Sequence, residues 1–233
     1  MHAKFVVRLA QVAWISLAFN GMSTAEEEEW RPLFDGKTLN GWVQRGGAAK
    51  YAVVEGAIVG TSVPNTSNSF LCTDRDYGDF ILELEFKVDP NLNSGVQIRS
   101  QHFDKVMAVE TGGKKKIIPP FRVHGYQVEI DPSERSWTGG IYDEARRGWL
   151  KDLEENEAAR KAFKQGEWNT FRIECKGDSI KTFLNGVPAA DLKDGVTPKG
   201  FIALQVHGVG NATDARKVSW RNIRIQELDA QGK

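Results

Sequence analysis

Between Phe80 and Val88 the chain alternates without a break. Phe80, Leu82, Leu84, Phe86 and Val88 fall on one side of an extended backbone, and Ile81, Glu83, Glu85 and Lys87 on the other. A period of two predicts a strand with one buried face. The pattern recurs in Val96–Arg99, where Val96 and Ile98 oppose Gln97 and Arg99. It recurs in Gly125–Asp131, where Tyr126, Val128 and Ile130 oppose Gln127, Glu129 and Asp131. In Phe201–His207, Ile202, Leu204 and Val206 form one set, and Phe201, Ala203, Gln205 and His207 the other.

Shorter signals fill the intervals. Trp30 to Lys37 reads as an edge strand running into a turn. Tyr51–Gly60 reads as a hairpin turning at Glu55-Gly56, and Ser69–Thr73 as a short strand. Trp168–Cys175 and Ser179–Leu184 form a second hairpin around Lys176-Gly177-Asp178, and Asn185-Gly186 marks a tight turn. Lys217–Leu228 closes the domain as a strand with a break near Arg221-Asn222. Residues 102–124 lack clean alternation and read as a surface loop with room for a small hairpin. Ser133–Gln165 is the one helix-prone stretch, expected to give one or two short surface helices flanking the open face. Many short strands and almost no helix predict an all-β fold: a two-sheet antiparallel jelly-roll sandwich with one curved sheet.

Composition narrows the function. Lysine plus arginine and aspartate plus glutamate each number 31, so net charge is zero and nothing favours nucleic acid. His2, Lys4 and Arg8, an apolar run from Leu9 to Phe19, and small residues at Ser23-Thr24-Ala25 read as an export signal over residues 1–25. That run is short for a membrane span; an uncleaved anchor is the competing reading. The expectation is a single domain over 26–229, a disordered tail at 230–233, no membrane span in the mature chain, and a secreted or periplasmic location. Cys72 and Cys175 are read as buried free thiols, with a disulfide as the alternative. No Cys or His spacing suits a structural zinc, and Gly-x-Ser-x-Gly, HExxH, P-loop and GxGxxG patterns are absent.

The polar sets are the candidate site. Glu83, Glu85, Lys87, Gln97, Arg99, Gln127, Glu129, Asp131, Gln205 and His207 are expected to converge in one hollow. A plain solvent face is the bland alternative, but such a face favours Thr, Ser and Lys over long carboxylates, amides, Arg and His. Trp42, Trp137 and Trp149 are offered either to sugar rings or to packing; Trp168 and Trp220 are read as core.

Several motifs resemble, in order, the 3-keto-disaccharide hydrolase domain family, related in fold to concanavalin A-like lectins and glucanases. They are Phe34-Asp35-Gly36-Lys37-Thr38-Leu39-Asn40-Gly41-Trp42, Tyr77-Gly78-Asp79-Phe80, Asn93-Ser94-Gly95-Val96 with Arg99, and Gly125-Tyr126-Gln127-Val128-Glu129-Ile130-Asp131. Thr138-Gly139-Gly140-Ile141-Tyr142, Gly166-Glu167-Trp168-Asn169 and Leu204-Gln205-Val206-His207-Gly208 complete the series. The resemblance implies a jelly roll, export in bacteria, and action on glycosides oxidised at the sugar C3. The chain departs from it by a charged insertion between Tyr142 and Gly166. It also carries Gln127-Val128-Glu129 where members often show Glu-Val-Gln.

A C3 ketone makes the C2 hydrogen acidic and the C1 oxygen a leaving group. Proton abstraction, elimination and water addition then amount to hydrolysis. Glu85 or Glu129 is the expected base, and His207 the acid for the leaving group. Arg99 and Lys87 are expected to stabilise the enolate. Glu83, Gln97, Gln127, Gln205, Tyr142 and Trp149 are expected to bind substrate. A divalent metal (Ca, Mg or Zn) on Glu129, Asp131 or His207 suits the donor types. Two alternatives stay open for catalysis and binding: a pair of carboxylates acting on an unoxidised sugar, and a non-catalytic carbohydrate-binding module using the same face. A third class is an adhesion or scaffold domain without sugar affinity. No protein partner is implied.

Overall fold

The computed structural model describes residues 29–228 except Gly112. Two antiparallel sheets face one another, with strands numbered along the chain. The eight-stranded sheet runs β15 (Val187–Lys193), β14 (Ser179–Leu184), β13 (Asn169–Lys176), β6 (Phe80–Val88), β17 (Lys217–Glu227), β4 (Ala57–Thr61), β3 (Lys50–Val54), with β1 (Arg31–Pro32) paired to β17. The seven-stranded sheet runs β12 (Gly148–Lys151), β11 (Ile141–Glu144), β10 (His124–Ile130), β7 (Ser94–Gln101), β16 (Phe201–Val206), β5 (Ser69–Thr73), β2 (Trp42–Gly46). A separate hairpin joins β8 (Met107–Thr111) to β9 (Lys114–Ile118). This is the all-β sandwich that the alternation predicts.

The core lies between the sheets and draws on chain from Phe34 to Ile225. Phe80, Leu82, Leu84, Phe86 and Val88 enter it from one sheet; Val96, Ile98, Tyr126, Val128, Ile130, Ile202, Leu204 and Val206 enter from the other. Phe86 meets Phe171 at 4.5 Å between ring centroids. Removing one such side chain from water contributes about 2–3 kcal/mol. Trp220 is fully buried, and Trp42 joins the same core while its Nε1 donates to the Leu33 carbonyl.

The hairpins at Glu55-Gly56, Gly177-Asp178 and Asn185-Gly186 form as expected. Two regions differ from the sequence reading, and a third, the loop at 102–124, follows it. β1 is only two residues long, because Asp35 draws the chain into a turn by accepting hydrogen bonds from the Lys37 and Thr38 amides. The loop at 102–124 contains the β8–β9 hairpin. The helix-prone stretch holds two strands, β11 and β12, and one short helix, α1 (Glu157–Ala162), capped by the Asn156 side chain. Only Ala159 of α1 is buried, and the helix packs on β14 and β15 at the edge of the eight-stranded sheet rather than over an open face. Cys72 and Cys175 are both buried free thiols. The leader expected over 1–25 and the tail expected at 230–233 lie outside the described residues. Among those described, no helix is long and apolar enough to cross a membrane.

Candidate functional site

The sandwich divides the expected constellation in two. β6 belongs to one sheet, and β7, β10 and β16 to the other. All turn their apolar sides inward, so their polar sides point in opposite directions. Glu83, Glu85 and Lys87 therefore sit on the far side of the molecule from Gln127 and Glu129, which corrects the single-hollow expectation. There, Arg172 and Arg224 pair with Glu83 at 2.8 and 2.5 Å, and Arg221 and Asn222 reach Glu85 at 2.7 and 2.5 Å. Burial pushes the Glu83 carboxyl up, but hydrogen bonds from Arg224 and Arg172 outweigh it and hold the carboxyl below its usual range. In Glu85, Asn222 and Arg221 likewise override burial. Trp168, expected in the core, is half-buried on this outer face, with the Arg221 guanidinium 4.0 Å from its ring centroid. These carboxylates are tied into a cross-strand charge ladder whose guanidiniums lower their affinity for a proton, which makes them weak bases.

Arg99 also leaves the expected face. β7 carries a bulge here, and Arg99 adopts φ 45°. The extra residue turns the side chain toward the eight-stranded sheet. Its Nε donates to the Gly78 carbonyl at 2.8 Å, one terminal nitrogen to Gly177 at 2.7 Å, and the other to Asp79 at 2.8 Å. Arg99 is fully buried and ties the two sheets together. Past the bulge Ser100 takes the outward direction, and its hydroxyl donates to Gln97 Oε1 at 2.7 Å. The alternation gave no sign of Ser100, because a bulge shifts the period without a sequence marker.

The remaining residues do assemble. Strand register places Glu129, Gly95, Gln205, Phe70 and Arg45 in one row across the outer face of the seven-stranded sheet. A second row holds Tyr142, Gln127, Gln97, Ala203, Cys72 and Val43. Amide side chains link the rows. Gln97 Nε2 and Gln205 Nε2 both donate to Gln127 Oε1, at 2.5 and 2.8 Å. Gln127 Nε2 donates to Glu129 Oε2 at 2.7 Å, and Asn93 Nδ2 to Glu129 Oε1 at 2.5 Å. Gly95 makes this possible: a Cβ there would stand 2.6 Å from the Gln127 side chain, which lies across the glycine. Gln97, Gln127 and Gln205 are buried, and Gln205 Oε1 has no hydrogen-bond partner among the described residues.

Glu129 is 5% exposed. Burial raises its pKa to about 7, against the opposing pull of the Asn93 and Gln127 hydrogen bonds; Asp131 adds to the rise and Arg135 reduces it. Near neutral pH the carboxyl can therefore take a proton or release one. Beside it stands an aromatic wall. Trp149 meets Tyr142 edge-on at 5.3 Å and Trp137 at 4.9 Å, and the Arg135 guanidinium lies over Trp137 and Trp149 at 4.5 and 5.1 Å. Burial, then Glu144 and Glu129, raise the Tyr142 pKa, so its hydroxyl keeps its proton. Arg122 pairs with Glu144 at 2.6 Å beyond Tyr142. Arg122, Arg135 and Asn93 were not among the expected residues; only Asn93, within the Asn-Ser-Gly motif, had a sequence signal.

Two expected groups play other parts. Asp131 is consumed locally: it accepts hydrogen bonds from Ser133, Arg135 and the Trp137 amide. Those bonds hold its carboxyl below the usual range despite burial. His207 is exposed just past β16, and its Nδ1 lies 2.8 Å from the Gly208 carbonyl, an acceptor for an N–H on that nitrogen, while Nε2 is left free of that contact. A metal on Glu129, Asp131 and His207 does not fit this arrangement. Both Glu129 oxygens face amide donors, Asp131 is already bonded, and no group of three His, Cys, Asp or Glu side chains among the described residues is disposed to hold an ion.

The other half of this outer face is covered. Val123 packs with Phe70, Cys72, Phe201 and Ala203, and Arg45 reaches His102 Nδ1 at 2.8 Å.

The fold recurs in solved structures. A Parabacteroides distasonis protein provisionally assigned as a glycosyl hydrolase is 21% identical, with TM-score 0.55 over 86% of this chain and 94% of that one. The carbohydrate-binding module CBM66 of Bacillus subtilis is 15% identical, with TM-score 0.54 over 80% and 96%. A Bacillus subtilis protein with a galectin-like fold is 10% identical, with TM-score 0.57 over 85% and 94%. At these identities the likeness is one of fold. No curated protein sequence matches the chain. The family model described as the 3-keto-alpha-glucoside-1,2-lyase-like domain matches residues 29–226, nearly the whole described sandwich, and the chain belongs to that family.

Proposed function

We propose that the protein cleaves glycosides carrying a ketone at C3 of the sugar, on the outer face of the seven-stranded sheet. The observation that carries this reading is Glu129, a buried carboxyl whose pKa of about 7 lets it exchange a proton at neutral pH. In its ionised form Glu129 removes the C2 proton. The electron pair passes to the C3 oxygen as an enolate and then expels the C1 oxygen. The departing oxygen takes up a proton from Nε2 of His207, at the rim, when that ring carries a proton on both nitrogens, and the later water addition returns it. Water addition to the unsaturated product completes net hydrolysis. Tyr142 and Trp149 hold the ring. Arg135, stacked on Trp149, and Arg122, paired with Glu144, supply the positive potential beside the enolate that Arg99 and Lys87 are too remote to give. The leader-like first residues support action outside the cytoplasm.

The test is turnover of a 3-keto-glucoside and of the matching unoxidised glucoside by the wild type and Glu129→Gln. Turnover of the ketone alone, lost in the variant with sugar affinity kept, supports the reading. A second reading, sugar binding without catalysis, is favoured by the amide donors on both Glu129 oxygens. It predicts affinity for both sugars with no turnover of either.

A further inference from the structure

Away from Glu129, the outer face of the seven-stranded sheet is roofed by a strap of two short segments, residues 102–103 and 119–123. The Phe121 amide fastens one to the other by donating to the Phe103 carbonyl at 2.6 Å, and the Phe121 and His102 rings lie 5.8 Å apart. Beneath the strap Val123 meets an apolar floor of Phe70, Cys72, Phe201 and Ala203. The strap is held from two sides. Arg122 pairs with Glu144 of β11 at 2.6 Å, and the Arg122 carbonyl lies 2.9 Å from Nδ1 of His124 on β10. From β2, at the edge of the sheet, Arg45 reaches Nδ1 of His102 at 2.8 Å.

The Arg45–His102 contact has a single polarity. A guanidinium carries five N–H donors, no acceptor and a permanent charge, so the His102 nitrogen can only accept. The contact therefore requires a neutral imidazole. A proton on that nitrogen removes the acceptor and sets two cations face to face, both half-buried. Burial, and after it Arg45, hold the His102 pKa below its ordinary 6.5, while hydrogen bonding to the His102 and Phe121 backbones pulls the other way. The groups around it do not compensate. The Cys72 thiol beside Arg45 is pushed up to about 12 by burial and stays neutral. Asp104 and Lys105, next in the chain, are exposed. His124 is itself held low, by burial first; the Arg122 carbonyl and Asp143 oppose this, and Arg146 and His102 add to it. Its contact differs in kind, because a carbonyl accepts an imidazole N–H in either charge state.

We propose that Arg45 and His102 form an acid-released latch: protonation of His102 breaks the contact, frees residues 102–103 and 119–123, and uncovers the floor of Phe70 and Phe201. The direction follows from linkage. The released ring takes its proton at the ordinary histidine value, and the latched ring only at lower pH. The latch holds fully above about pH 6.5. As pH falls below that value, the open population rises by up to about tenfold per pH unit. Arg122 belongs to the strap, so release also disturbs its pair with Glu144. The latch is independent of whether the Glu129 side cleaves sugars.

The experiment is amide hydrogen exchange at pH 5.5 and 7.5, corrected for the intrinsic rate, on wild type, His102→Gln and Arg45→Met. Glutamine offers Arg45 an acceptor that does not titrate. In the wild type, amides of residues 102–103 and 121–123 are expected to exchange roughly five- to tenfold faster at pH 5.5, with those of β6 unchanged. His102→Gln is expected to abolish the difference. Arg45→Met is expected to leave the strap equally open at both pH values and to raise the His102 pKa, followed by NMR, toward its ordinary value. The latch is overturned by a wild type without the difference, by a difference that persists in His102→Gln, or by acceleration shared equally with β6. A His102 titration that Arg45→Met leaves in place overturns it as well, and decides the matter if His102→Gln fails to fold.

Discussion

The Gln127 amide nitrogen stands 2.7 Å from Glu129 Oε2, and its direction is imposed from behind. Gln97 and Gln205 both present N–H groups to Gln127 Oε1, so the amide cannot turn its oxygen toward the carboxyl without losing two bonds. The buried carboxyl thus keeps a donor on each oxygen. Burial favours its neutral form and the two amides favour its anion.

Glu129→Gln should reduce turnover roughly 10²–10⁴-fold, the usual contribution of a positioned base. The same variant should be more stable than the wild type at alkaline pH. The folded carboxyl has a pKa of about 7 against 4.5 for an unperturbed glutamate, so the native state binds that proton more tightly than the unfolded chain. Its stabilising contribution is full below the lower value and is lost as pH rises through the upper one. The loss is on the order of 3 kcal/mol. Denaturant unfolding at pH 5 and pH 8 checks this: the advantage of the variant should appear at pH 8 and shrink toward pH 5.

Gln127→Leu removes a donor from Glu129, which leaves the neutral acid favoured. The pH at which kcat/KM reaches half its maximum should move upward, with activity at pH 8 less affected than at pH 6. Gln97→Leu should move the limb in the same direction by less, since Gln205 still orients Gln127. A pH–rate profile that stays in place for both variants would contradict the role given to the amides.

Tyr142→Ala and Trp149→Ala should each weaken sugar binding about tenfold. Both rings are only half-buried, so folding should survive. Titration with an unreactive sugar separates this from a loss of catalysis.

Glu83→Gln and Glu85→Gln should leave turnover unchanged, because both residues face the opposite side of the sandwich. Their partners are substantially exposed, and the cost in stability should stay below about 1 kcal/mol. A large loss of activity in either variant would move the site to the other sheet.

Arg99→Ala should destabilise the fold by about 3–5 kcal/mol, the usual cost of breaking a buried charge pair. The Gly78 and Gly177 carbonyls and Asp79 lose their donor together. Equilibrium unfolding measures it, and the folded fraction should retain its specific activity.

Much of this architecture was legible in the chain itself. The period of two in Phe80–Val88, Gly125–Asp131 and Phe201–Val206 determined strands, their inward faces and the sandwich, because a strand must bury one side. It also determined that Gln127, Glu129 and Gln205 point away from the core. The sequence could not say which strands share a sheet, since alternation records inside against outside and not which outside. Only the tertiary structure placed Glu83 and Glu85 on the far face. The bulge at Arg99 depends on pairing with two neighbouring strands, and pairing is non-local. The same holds for Glu129: its type is written in one position and Gln127 lies two residues before it, but the Asn93 donor, the glutamines that orient Gln127 and the aromatic wall come from distant segments around β7, β11, β12 and β16, which only the folded chain brings beside it.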